Sequence, residues 1–152
     1  MPEPEDIPER PPIGYGCLDV TLDGEWLRQT MPFASALGIE LVSATGGEVR
    51  GRLDWAPERC TSAGILHGGA LMAFADTMGA VCALLNLRPG ESTSTIESKT
   101  NFFRAVRGGS VDATCRPLHV GRTTVVVQTD LRDADGRRVA QVTQTQAVLA
   151  PR

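Results

Sequence analysis

Apolar residues follow two rhythms along this chain, and the switches between them predict its elements. From Asp23 to Leu37, Trp26, Leu27, Met31, Phe33 and Leu37 recur at roughly helical spacing. Thr30-Met31-Pro32 divides that region into two short helical pieces, because a residue before proline is disfavoured in α geometry. Gly38–Thr45 and Glu48–Trp55 flank Gly46-Gly47 and read as a hairpin. A loop from Pro57 to Leu66 leads into a long apolar helix, Gly69–Leu87, with Arg88-Pro89-Gly90 as its stop. Four strand-like runs follow: Ser94–Arg104, closed by Gly108-Gly109; Ser110–His119; Thr123–Arg132, after Val120-Gly121-Arg122; and Arg137–Leu149, after Asp133-Ala134-Asp135-Gly136. Thr123–Val127 is β-branched throughout, and Val139 to Val148 is rich in Val, Gln and Thr.

Two strands, one long helix and four more strands predict an α+β chain. Its architecture would be one central helix wrapped by a mostly antiparallel sheet of about six strands, the hot-dog fold. Residues 1–14 are acidic and proline-rich without periodicity and read as a disordered tail; 15–152 read as a single domain with no internal repeat. A length of 152 residues suffices for one core that folds unaided.

Charge and cysteine usage narrow the function. A net charge of −3 and a pI near 5.4 argue against a nucleic-acid partner held by phosphate neutralisation. Only Lys99 among the 15 basic residues is a lysine, and guanidinium forks suit phosphates. The start Met1-Pro2-Glu3-Pro4-Glu5-Asp6 lacks the basic and apolar regions of a signal peptide, and Cys17, Cys60, Cys82 and Cys115 show no regular pairing, so a cytoplasmic protein is expected. Gly69–Leu85 is nearly long enough to span a membrane, but Asp76 at its middle, many alanines and the lack of flanking basic clusters favour a buried soluble helix and no membrane partner. Two histidines and four scattered cysteines predict no metal site. Neither a GxSxG elbow nor a GxxxxGK phosphate loop occurs, and the Asp and His arrangement of hot-dog hydratases is not found.

The chemistry points to the long helix. Asp76 is the only charged residue between Gly69 and Leu85, and burying an unpaired carboxylate costs several kcal/mol in effective terms, so Asp76 needs a reason. His67-Gly68-Gly69 stands where that helix begins. A helix N-terminus offers unpaired N–H groups, and glycines let a ligand oxygen come close, as the oxyanion of acyl transfer requires. Gly68 and Asp76 lie eight residues apart, roughly 12 Å along a helix. One helix cannot bring both to one carbonyl, so cooperation between them implies at least a dimer. Two antiparallel helices could pack closely through the small residues 70, 73, 75, 79, 80 and 83.

From about Phe33 to Leu149 the chain resembles the PaaI-like acyl-CoA thioesterases of the hot-dog superfamily. The resemblance rests on His67-Gly68-Gly69 with Asp76 nine positions after the histidine, the strand from Ser94 to Arg104, the Gly121-Arg122 step, and Asp135-Gly136 through Ala140. It implies thioester hydrolysis in a site built by a dimer, often paired into a tetramer. No metal or redox cofactor is expected, since coenzyme A is part of the acyl-CoA substrate. By the same resemblance Gly68 polarises the thioester carbonyl through its backbone N–H. Asp76 activates water or attacks directly to give an anhydride, His67 supports the loop, and Thr95 supplies a hydroxyl beside the carboxylate. Many relatives carry asparagine or glutamine six residues before the histidine; here the position is Thr61, with Ser62 next to it. A hydroxyl is shorter and lacks the amide's fixed donor–acceptor pair, which predicts a slower site, different substrates, or a role for Thr61 or Ser62 in that place. Arg104 and Arg122 are candidate contacts to coenzyme A phosphates.

Structural readings stand beside these. His67 can cap the helix, Gly68-Gly69 can serve close packing, Asp76 can accept hydrogen bonds across a dimer seam, and Met72, Phe74 and Met78 read as core. A non-hydrolytic acyl-CoA-binding protein, a sensor or accessory subunit, is the alternative function.

Overall fold

Asp23 starts the first helix by placing its side chain under two free backbone donors: its Oδ1 accepts from Glu25 N at 3.0 Å and Trp26 N at 2.9 Å. The helix α1 (Gly24–Thr30) stops at Met31, and Pro32 opens α2 (Pro32–Leu37), which Gly38 closes in left-handed geometry at φ 75°. The computed structural model describes residues 22–151. The expected tail, residues 1–14, and the start of the expected domain at residue 15 lie outside the described residues.

Among the described residues six strands follow the two helices, all paired antiparallel in the order β1-β2-β4-β5-β6-β3. They are β1 (Ile39–Ala44), β2 (Val49–Asp54), β3 (Ser92–Phe102), β4 (Ser110–Val120), β5 (Thr124–Asp133) and β6 (Arg138–Leu149). The helix α3 (Gly68–Leu84) lies between β2 and β3 in the chain and packs on one face of the sheet. This is the expected hot-dog architecture, with strand ends within two residues of those expected. No helix among the described residues is long and apolar enough to cross a membrane.

The core forms where α3 meets the sheet. Leu71, Phe74, Ala75, Met78, Val81 and Cys82 are buried against Val49, Leu53, Val111, Cys115, Val125 and Val127. Alternation along β5 and β6 turns every second side chain toward the helix. Three expectations about α3 are corrected. It ends at Leu84 rather than Leu87, because the Asn86 amide caps the Cys82 carbonyl at 2.8 Å and also ties down Gly46 O at 2.8 Å. Met72, expected in the core, is 40% exposed, whereas Phe74 and Met78 are fully buried. Of the small residues expected at a helix–helix seam, Ala70, Ala75, Gly79 and Ala83 are buried. Only Ala73 and Ala80 fall on the outward face, with Gly69, Met72 and Asp76 at helical spacing.

Candidate active site

A helix begins with four N–H groups that have no partner within it. His67 is the N-cap of α3 and satisfies three of them: its Nδ1 accepts from Gly69 N at 2.7 Å, and its carbonyl accepts from Ala70 N at 2.9 Å and Leu71 N at 3.2 Å. The Gly68 N–H has no acceptor among the described residues. An imidazole whose Nδ1 accepts carries its proton on Nε2 when neutral, so His67 is engaged as a cap on the side facing the helix. The loop is held from three directions. His67 N donates to Arg59 O at 2.9 Å, Leu66 N to Val106 O at 2.8 Å, and Trp55 Nε1 to Gly64 O at 3.1 Å. A side chain at Gly68 would place its Cβ 3.2 Å from Phe102 Cζ, so glycine leaves room for the aromatic ring beside the free N–H.

Asp76 lies two turns further along, on the outward face of α3, and is exposed in the single chain. Within the single chain the carboxylate is therefore neither buried nor without partners. Thr95 Oγ1 donates to Asp76 Oδ1 at 3.0 Å, and Gln144 Nε2 donates to the same oxygen at 2.6 Å. Thr95 is in place because of a β-bulge at Ile96. The register passes from Thr95↔Gln146 to Glu97↔Thr145, so Ile96 has no partner on β6. Gln146 Nε2 supports the Thr95 hydroxyl at 2.8 Å. Sequence reasoning missed Gln144 and Gln146. Both share the parity of Val142 on β6, and therefore face the helix.

Gly68 lines a groove of about 390 Å³ together with Thr61, Leu66, Phe102, Phe103 and Arg104, among others. Thr61 sits in a turn, where its carbonyl accepts from Gly64 N at 3.1 Å and its Oγ1 from Ala63 N at 3.4 Å. The single chain thus brings Gly68, His67, Thr61 and Arg104 together at one end of α3. It brings Asp76 and Thr95 together elsewhere, about 12 Å along the helix from Gly68. Arg122 stands in the β4–β5 turn, next to Thr123, whose carbonyl pairs with Val148 N at the far end of β6. Phe102 pairs with Ala140 at the near end, so Arg122 and Arg104 occupy opposite ends of the sheet.

Residues 63–140, just over half of the chain, match the model of the thioesterase superfamily, and the chain belongs to that superfamily. It is similar to the proofreading thioesterase EntH of Cronobacter sakazakii, 36% identical over 86 residues that make up 57% of this chain and 63% of EntH. The chain therefore matches less than two thirds of that relative's length. Among solved structures it is similar to thioesterase HI1161 of Haemophilus influenzae, at TM-score 0.78 and 26% identity, over 84% of this chain and 87% of the other. It is likewise similar to a mutant of thioesterase PA1618 of Pseudomonas aeruginosa, at TM-score 0.80 and 27% identity, over 86% and 96%.

Proposed function

We propose that this protein is a cytoplasmic thioesterase that hydrolyses an acyl-CoA to the free acid and coenzyme A in a site shared between two subunits. The observation that carries the reading is the unsatisfied Gly68 N–H at the start of α3, combined with a hydrogen-bonded carboxylate on the outward face of the same helix. The N–H and the helix dipole suit a developing oxyanion. The roughly 12 Å between the two positions calls for Asp76 of the partner subunit. An open sheet edge supports the dimer: among the described residues β3 pairs only with β6, and Ile96, Phe102 and Phe103 are each at least half exposed along it or just beyond its end. Such an edge is a template for another strand. Self-pairing of β3 would set two α3 helices side by side, with Ala73 and Ala80 facing the seam; a tetramer would pair two such dimers.

The thioester carbonyl lies with its oxygen on Gly68 N–H. Water attacks the carbonyl carbon as Asp76 takes one of its protons, and the carbonyl π pair moves onto the oxygen. Collapse of that oxyanion breaks the C–S bond, and the coenzyme A thiolate recovers the proton from Asp76. In the second route Asp76 itself attacks, expels the thiolate and forms an anhydride that water then hydrolyses. Thr61 and Arg104 line the groove that receives the substrate, with Thr61 near the carbonyl and Arg104 toward the phosphates; Arg122 is the second phosphate candidate, offered from the other end of a sheet. No metal takes part.

The test is release of coenzyme A from a panel of acyl-CoAs, read with a thiol-trapping dye, for the wild type and Asp76→Asn. Turnover is expected to fall on the order of 10²–10⁴-fold in the variant while acyl-CoA binding survives. Binding without turnover in the wild type would instead establish the acyl-CoA-binding alternative, and a fully active Asp76→Asn would remove the carboxylate from the mechanism.

A further inference from the structure

The inner face of β6 changes character at the level of Asp76. Ala140 and Val142 are buried apolar residues, whereas Gln144 and Gln146, next on the same face, are fully buried amides. Burying a glutamine costs free energy unless its polar atoms find partners. Gln144 finds only one: its Nε2 donates to Asp76 Oδ1 at 2.6 Å, while its Oε1 is buried with no partner among the described residues. The amide orientation is fixed by chemistry, since a flipped amide would set a carbonyl oxygen against the carboxylate. Gln146 extends the array. Its Nε2 donates to Thr95 Oγ1 at 2.8 Å, and its Oε1 lies 3.3 Å from Thr93 Oγ1, whose single proton is shared with the nearer Ala147 carbonyl at 3.0 Å. Thr95 therefore accepts from Gln146 and donates its own hydroxyl proton to Asp76 Oδ1 at 3.0 Å.

Gly79 shows that the sequence of α3 accommodates this amide. An ideal Cβ at Gly79 would lie 1.9 Å from Gln144 Oε1 and 3.0 Å from its Cδ. Glycine weakens a helix interior, and here it stands one turn after the carboxylate, where Gln144 passes beneath.

We infer that Gln144, with Gln146 acting through Thr95, is a positioning residue that assigns different tasks to the two oxygens of Asp76. Both donors converge on Oδ1. No donor among the described residues reaches Oδ2, so Oδ2 keeps its lone pairs for the water proton or the carbonyl carbon. With Oδ1 anchored to β6 and β3, the carboxylate is fixed in rotation as well as in place. This inference rests on the thioesterase reading above.

Gln144→Met keeps the volume and removes the amide, and Thr95→Val removes the second donor without touching the core of β6. The assay is coenzyme A release from the best acyl-CoA of the panel, with kcat and KM separated, after circular dichroism has shown each variant folded. Each substitution is expected to lower kcat roughly ten- to a hundred-fold, the scale of a hydrogen bond to a charged group, with KM within about two-fold of wild type. In an Asp76→Asn background neither should lower the residual rate further, because the oxygen they anchor no longer acts. If Gln144→Met and Thr95→Val leave kcat unchanged while Asp76→Asn is inactive, the positioning role falls and the thioesterase reading stands. Equal losses in the wild-type and Asp76→Asn backgrounds would also overturn it, as the mark of a purely structural effect. A wild type that hydrolyses no acyl-CoA would overturn both. Should Gln144→Met fail to fold, Thr95→Val and Gln146→Met decide by the same criteria.

Discussion

Replacing Gly79 with alanine sets two effects against each other. In an open helix interior the change should stabilise by about 1 kcal/mol, the propensity difference between the residues. Here the new Cβ would stand 1.9 Å from Gln144 Oε1, 3.0 Å from Gln144 Cδ and 3.2 Å from Val127 Cγ2. The nearest atom ends a flexible side chain, which ordinarily swings aside. Gln144 is not free to do so, because it is fully buried and tied to Asp76 at 2.6 Å. Overpacking of this kind costs about 1–3 kcal/mol. A lost hydrogen bond to a charged group costs about 1.5–3 kcal/mol when buried. That second figure is discounted here because Asp76 itself is exposed. The net expectation is a loss of about 1–3 kcal/mol, or roughly 3–10 °C in Tm for a chain of this size. Thermal and urea unfolding followed by circular dichroism would measure it, at fixed protein concentration because an oligomer's apparent stability varies with concentration. The double variant Gly79→Ala/Gln144→Ala vacates the space the methyl needs, so the two costs should fall short of additive by about 1 kcal/mol or more. A Gly79→Ala protein at or above wild-type stability, or strict additivity in the double variant, would refute the reasoning.

Other expectations follow from the site and the core. Arg104→Ala or Arg122→Ala should raise KM for acyl-CoA more than it lowers kcat, and should matter little for a truncated thioester lacking the nucleotide; equal effects on both substrates would make these arginines supports of the fold. Mixing Asp76→Asn with Gly68→Pro, once circular dichroism shows the proline variant folded, should regenerate up to one working site in each mixed dimer. Full subunit exchange with no recovered activity would count against a shared site. Cys82 and Cys115 are fully buried, so both should resist aromatic disulfide reagents until the protein unfolds; the Cys115 sulfur and burial also hold the Cys82 thiol well above its usual range. In a Cys17→Ser background, the half-exposed Cys60 should then account for all native-state labelling.

The strands and the helix were legible because each follows a local rule. The break between α1 and α2 is written in Met31-Pro32, and the β1–β2 turn in Gly46-Gly47. The end of α3 was misplaced because Arg88-Pro89-Gly90 is a strong stop, whereas the cap that acts earlier, Asn86, depends on Gly46, 40 residues away in the chain. His67 as N-cap and Thr95 beside Asp76 were both readable, the first from helix chemistry and the second from the family resemblance. Gln144 was not read because Gln-Val-Thr-Gln-Thr-Gln looks like a solvated strand. Its inward parity is fixed only once Val142 and Ala140 are known to face α3.

The exposure of Asp76 follows from the shape of α3. A nearly uncharged helix carrying one carboxylate points to a buried element, and the dimer reading sets that carboxylate at a seam between two copies of the helix. In fact α3 has two faces that differ in residue size more than in polarity. Phe74, Met78, Val81 and Leu71 fill the sheet side, while Gly69, Ala73 and Ala80 keep the outward side low around Asp76 and Met72. Alanine and glycine on an exposed face contribute little to burial within one chain, and they leave a shallow strip in which the carboxylate is the only charge. A helix turned permanently to water more often carries charged residues there. The outward strip therefore suits the subunit contact proposed above, and β3, the edge strand that carries Thr95, runs alongside it. In the proposed dimer the desolvation cost of Asp76 would be incurred at assembly. Gln144 and Thr95 have already supplied the hydrogen bonds that make it tolerable.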